Sequence, residues 1–141
     1  MAKYALIDTC YWFGLYGIRD GYVEESKEIS EIIKDHIIVI PYPSLYEVLN
    51  SEFIKSKLRL EELENLIKSE KVELLYDEKY RDEALENVYK IHKAPIPRIS
   101  LVDSIIREIL KDTNVRIDTL VTFNEKDFKD ICDIKRVTIL P

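Results

Sequence analysis

Five short apolar runs, at residues 4–7, 37–40, 72–75, 119–122 and 137–140, alternate with longer stretches of helical period, and that alternation leaves few folds open. Tyr4-Ala5-Leu6-Ile7 and Ile37-Ile38-Val39-Ile40 are continuously apolar, the pattern of strands covered on both faces in a parallel sheet. Val72-Glu73-Leu74-Leu75, Thr119-Leu120-Val121-Thr122 and Val137-Thr138-Ile139-Leu140 supply the other candidate strands. Between them, residues 23–34, 44–54, 58–67, 79–91 and 100–110 place apolar side chains on one stripe of a helix. In the last stretch Leu101, Val102, Ile105, Ile106, Ile109 and Leu110 make a face wide enough for a core helix. Strands that alternate with helices give an α/β sandwich around a mostly parallel sheet.

Length and composition agree with one unit spanning residues 1–141. The chain is 46% apolar, enough to build a core without covalent staples, and has no linker, repeat or low-complexity tract. Cys10 and Cys132 lie far apart with no CxxC spacing, which argues against a zinc ribbon and fits free thiols in a reducing compartment. The run before Asp8 is too short for a signal peptide and no later run approaches a membrane span, so the expectation is a cytoplasmic protein that meets no membrane. A net charge of -6 argues against binding nucleic acid through bulk positive potential. What matters is where the acids sit.

In parallel α/β sheets the functional crevice lies beyond the carboxyl ends of the strands, where the strand order reverses. Asp8 directly follows the first run, Glu47 follows the second within Ser44-Leu45-Tyr46-Glu47, Asp103 sits in Ser100-Leu101-Val102-Asp103, and Asp127 closes Asn124-Glu125-Lys126-Asp127. Asp8 reads alternatively as a turn or helix cap, and the other three have the spacing of a capping box. If all four meet at one rim, like charges about 4 Å apart repel by roughly 4 kcal/mol per pair at an effective dielectric near 20. A cation must then sit among them. No Lys or Arg lies within three positions of Asp8, Glu47 or Asp103, so the local chain supplies none. Hard oxygen donors without His or Cys suit Mg²⁺ or Mn²⁺, whose natural chemistry at such a rim is phosphodiester hydrolysis.

Four segments in order carry a family resemblance: Leu6-Ile7-Asp8-Thr9; Pro43-Ser44-Leu45-Tyr46-Glu47-Val48; Ile99-Ser100-Leu101-Val102-Asp103-Ser104; and Leu120 through Thr122-Phe123-Asn124-Glu125-Lys126-Asp127-Phe128. Over essentially its whole length the chain resembles the PIN domain, and within it the VapC-type toxins of toxin and antitoxin pairs. The resemblance implies a PIN-like three-layer α/β/α sandwich and an endoribonuclease dependent on Mg²⁺ or Mn²⁺. Asp8, Glu47 and Asp103 would then hold metal and a water would attack the phosphate. PIN sequences often carry an acid two residues after the Thr, where this chain has Asn124, so Asp127 is assigned as the fourth acid and Asn124 as an auxiliary amide. Thr9, Ser44 and Ser100 would steady the ligands, or simply cap helices. A homodimer and a small antitoxin partner are implied by analogy.

For RNA, the candidate basic contacts are His92, Lys93 and Arg98, around Pro95 and Pro97, and Lys55, Lys57 and Arg59. Of these, Lys93 and Arg98 are assigned to the substrate, while His92 reads as a surface residue. Tyr11 and Trp12 read as core aromatics, with base stacking as the alternative. Among rivals, a phosphatase of the HAD-like kind would need an Asp where Cys10 stands, a receiver domain would need acids before Asp8, and a P-loop would need glycines after residue 21. The remaining rival is a PIN fold with a degraded site that binds RNA or protein without cutting, a reading that Asn124 favours.

Overall fold

A computed structural model describes residues 2–17, 20–94 and 98–141, and the backbone alone for Asp20. In chain order the elements are β1 (Tyr4–Ile7), α1 (Thr9–Leu15), α2 (Val23–Ile32), β2 (Ile37–Pro41), α3 (Tyr42–Leu49), α4 (Lys57–Ile67), β3 (Val72–Leu75), α5 (Arg81–Lys93), α6 (Leu101–Lys111), β4 (Thr119–Val121), α7 (Lys129–Lys135) and β5 (Thr138–Leu140). The five strands form one sheet in the order β3-β2-β1-β4-β5, and every pairing is parallel. The sheet is therefore more uniform than the mostly parallel arrangement expected.

Strand alternation sorts the core into two layers. Ala5, Ile7, Ile40 and Val121 point to one face, where Trp12, Ile29, Ile33, Val48, Phe53 and Leu63 cover them from α1 to α4. Leu6, Val39 and Leu120 point to the other, under Ala84, Ile105, Ile106, Ile109, Phe128 and Ile131 from α5 to α7. The product is a three-layer α/β/α sandwich with both faces of the sheet buried, which is why the central strands read as continuous apolar runs. The chain builds outward from β1 through β2 to β3, then returns to β4 on the far side of β1. The order thus reverses between β1 and β4.

Two helices escape the sequence pattern. Helix α1 is a seven-residue TCYWFGL segment of weak helix formers, so neither periodicity nor propensity marks it. It forms because Asp8 caps it and because Tyr11 and Trp12 are almost fully buried, 2% and 1% exposed, in edge-to-face contact. That burial removes both rings from any stacking role. Gly14 lets α2 lie against α1: a Cβ there would meet the Ser26 Oγ at 2.2 Å and the Tyr22 carbonyl oxygen at 2.8 Å. Helix α7 is equally short, and it ends at Arg136, whose φ of 58° turns the chain into β5.

The expected helix over 44–54 is corrected. Helix α3 begins at Tyr42 with Pro43 in its first turn, where a missing N–H costs little, and ends at Leu49; a separate 3-10 turn, Glu52–Lys55, follows under a Ser51 cap. Ser44 is therefore no cap but an interior residue, wholly buried, its hydroxyl without a partner among the described residues.

Candidate functional site

Asp8 is anchored by the sheet itself. Its N–H donates to the Val121 carbonyl at 2.9 Å, extending the β1–β4 ladder by one step and setting the carboxylate at the point where strand order reverses. One carboxylate oxygen caps α1 by accepting from the Thr9 N–H at 2.7 Å; the other accepts from the Thr122 hydroxyl at 2.9 Å. That hydroxyl in turn accepts from the Asn124 N–H at 3.1 Å, so one buried threonine orients both Asp8 and the loop after β4. No local pattern marks Thr122 for this role, which arises only from the pairing of β4 with β1.

The other acids arrive from three further elements. Glu47 reaches over from α3 and accepts from the Thr9 hydroxyl at 2.6 Å. Asp103 lies in the first turn of α6, where Ser100 caps the helix by accepting the Asp103 N–H at 3.1 Å. The Asn124 amide spans two acids, donating to Asp103 at 3.4 Å and, more tightly, to Asp127. Asn124 does not cap the 3-10 turn Glu125–Asp127 with its side chain, so no capping box forms there.

A cavity of about 420 Å³ opens among Asp8, Thr9, Cys10, Phe13, Glu47, Ser51, Ser100, Asp103 and Asn124. Asp127 does not line it. It sits behind Asn124 and lines an adjoining depression with Arg98, Lys126, Arg107 and Asp130. Arg107 is engaged there, with both terminal nitrogens on Asp130 at 2.7 and 2.8 Å and a further bond to the Asp127 carbonyl. Arg98 and Lys126 have no ion-pair partner among the described residues. Lys93 ends α5, exposed, and lines neither hollow. Pro95 and Pro97 lie outside the described residues. The second basic group is already committed: Lys55 pairs with Glu52, Lys57 with Glu61, and Arg59 donates to the Glu52 carbonyl.

Electrostatics ties the acids together. Burial, and then the charges of Asp8, Asp127 and Glu47, push the Asp103 carboxyl up to about 7. Burial also raises Asp8, against the lowering effect of its bonds from Thr9 and Thr122; Glu47 and Asp127 raise it further. None of Asp8, Glu47, Asp103 and Asp127 has a Lys or Arg ion-pair partner among the described residues. As they stand, no three acidic, histidine or cysteine side chains among the described residues converge tightly enough to grip one ion. The donor set nevertheless fits Mg²⁺ or Mn²⁺. These ions are held through one or two carboxylates plus waters and substrate phosphate, not in a cage made wholly of protein.

No sequence model of a known protein family matches the chain, and no curated protein sequence matches it. Among solved structures, the chain is similar to a chain of VapBC2 from Rickettsia felis, determined bound to a DNA fragment from their promoter. The match has a TM-score of 0.59, covers 96% of each chain, and shows 19% sequence identity. At that identity the likeness is one of fold, and the fold is the PIN-like sandwich expected from the sequence.

Proposed function

We propose that the chain is a divalent-metal-dependent endoribonuclease of the VapC kind, which hydrolyses phosphodiester bonds of single-stranded RNA. The observation that carries the proposal is the group of carboxylates from four separate elements at the β1–β4 reversal, none with a Lys or Arg ion-pair partner among the described residues. Folding gathers like charges at an electrostatic cost, and a divalent ion offsets that cost. Asp8, Glu47 and Asp103 are the residues that would hold Mg²⁺ or Mn²⁺, with Asp127 completing the set from behind Asn124. Bound there, the ion would make a nucleophile of water and neutralise charge on the phosphate. Thr122 and the Thr9 N–H aim Asp8, the Thr9 hydroxyl aims Glu47, and Ser100 fixes the start of the helix that carries Asp103. Arg98 and Lys126, beside Asp127, are placed to meet neighbouring phosphates, with Lys93 further out.

The likeness to a chain of VapBC2 supports a small antitoxin as partner and a toxin's role. A homodimer belongs to the same proposal. No helix among the described residues is long and apolar enough to cross a membrane. A second reading, an RNA- or protein-binding module that cuts poorly, draws on one specific feature: the Asn124 amide stands between Asp103 and Asp127 where a cation would otherwise go.

Incubation of the purified protein with single-stranded RNA separates the two. The enzyme reading expects cleavage with Mg²⁺ or Mn²⁺ that stops on chelation. Cleavage indifferent to EDTA would refute the mechanism, and RNA binding without cleavage would favour the binding module.

A further inference from the structure

Three tyrosines line the carboxyl edge of the sheet beside the acid cavity. Tyr42 immediately follows β2 and Tyr76 immediately follows β3; because Pro41 and Leu75 are register partners, the two rings come together, stacked at 4.9 Å with planes 21° apart. Tyr46 lies one turn along α3 from Tyr42, with ring centroids 6.0 Å apart, and directly precedes Glu47. Tyr46 and Tyr76 are 57% and 67% exposed. Arg81, which opens α5 bonded to Asp77 at 3.0 Å, lies within electrostatic reach of Tyr46. β2 and β3 are one and two strand spacings from β1, so the row begins within about 10 Å of the strand that delivers Asp8.

This is an unusual use of aromatic surface. Large rings left in water forgo the stabilisation that burial of their apolar area would bring. Tyr76 has one face on Tyr42, and its other face meets no ring among the described residues. A stack that ends on an open face is ready to be continued by another flat ring. Tyr11 and Trp12, by contrast, are buried and offer no face to a ligand.

We infer that Tyr42, Tyr46 and Tyr76 form a platform on which unpaired bases of a single-stranded RNA stack, beside the phosphate held at the acid cavity; the inference rests on the ribonuclease reading above. Two features favour a nucleic acid strand as the occupant. The rings offer flat faces, and Tyr46 is continuous with Glu47 at the cavity wall. The platform also implies selectivity. A duplex keeps its bases stacked on each other and has none to offer, whereas a single strand can splay them onto side chains.

The test measures binding with cleavage suppressed: fluorescence anisotropy of a labelled unstructured RNA oligonucleotide against the full chain with Ca²⁺ in place of Mg²⁺ at low salt, with a duplex of the same sequence as control. Tyr76→Ala and Tyr46→Ala should each weaken single-strand binding about tenfold and leave duplex binding unchanged. Tyr76→Trp should bind at least as tightly as wild type, and Tyr76→Leu should behave like the alanine variant. Melting temperature and light scattering accompany each variant. The platform is overturned if wild type and alanine variants bind alike, if wild type does not bind the single strand, or if Tyr76→Ala lowers the oligomeric state along with affinity. In that last case the face is an interface between copies. The ribonuclease reading is judged separately, by cleavage of wild type with Mg²⁺, so either can fail alone.

Discussion

Helix α6 carries an acid at each end, and the two behave oppositely. Asp103, in the first turn, is pushed up to about 7 by burial and by the charges of Asp8, Asp127 and Glu47; Asp112, the C-cap, is pulled down to about 2 by the Tyr80 hydroxyl, the Asn114 N–H and Lys79. The helix dipole alone predicts the reverse, since it favours negative charge at the amino end and disfavours it at the carboxyl end. Partners therefore outweigh the dipole at both ends. The Asp112 carboxylate accepts from Tyr80 at 2.7 Å and from Asn114 at 2.9 Å, and pairs with Lys79 at 2.9 Å. Asp118, at the same edge of the sheet, is lowered despite burial by the Tyr4 N–H and Arg116. At the amino edge, then, the protein neutralises these acids from its own side chains and gains stability. At the carboxyl edge it gathers Asp8, Glu47, Asp103 and Asp127, and none of the four has a Lys or Arg ion-pair partner among the described residues.

The sharpest way to break this contrast is to remove one acid from each edge. Asp8→Asn keeps an acceptor oxygen for the Thr9 N–H and relieves repulsion, so metal-dependent RNA cleavage should fall by at least about a hundredfold while the melting temperature stays within about 2 °C. A large drop in melting temperature would make Asp8 a structural cap instead. Asp112→Ala should do the opposite, costing about 2 kcal/mol in denaturant unfolding near neutral pH with no change in cleavage rate. Because the folded value for Asp112 lies below the unfolded one, its contribution is present above about pH 4 and is lost as pH falls toward 2.

Asp103→Asn tests the sign at the other end of the helix. The folded value lies above the unfolded one, so ionised Asp103 penalises the fold fully above pH 7, and the penalty fades as pH falls toward 4. In the absence of metal the variant should be more stable than wild type by about 1 kcal/mol at pH 8, allowing for solvent screening, and equal to it near pH 4. A gain that grows as pH falls would contradict the assignment. The smallest effect belongs to Arg98→Ala and Lys126→Ala, which should raise KM for RNA a few-fold and flatten the salt dependence of binding by about one unit of slope each. Loss of kcat with KM unchanged would move these residues out of substrate binding.

Much of this was legible in the sequence. The apolar runs at 4–7 and 37–40 are buried on both faces, and such strands announce themselves without knowledge of their neighbours. Asp8 and Asp103 were readable as well, one as the first polar residue after a strand, the other through the Ser100 cap. What stayed hidden depends on pairing across the sheet. Thr122 holds Asp8 only because β4 lies beside β1, 114 residues away in the chain, and Tyr76 meets Tyr42 only because β3 lies beside β2. Helix α1 escaped because tertiary burial of Tyr11 and Trp12 overrides poor local propensity. Ser44 misled for a related reason: the start of α3 is set by Pro41 leaving the strand, upstream of the serine that looked like its cap.

Calorimetric titration of Mn²⁺ into the purified chain and into Asp103→Asn at pH 7.5 tests the central claim most directly. The carboxyl-edge account predicts a saturable binding event in wild type, at least tenfold weaker in the variant, with affinity in wild type rising as pH rises through about 7 because the ion displaces the Asp103 proton. Superimposable isotherms for the two proteins, or no saturable heat in wild type, would contradict it.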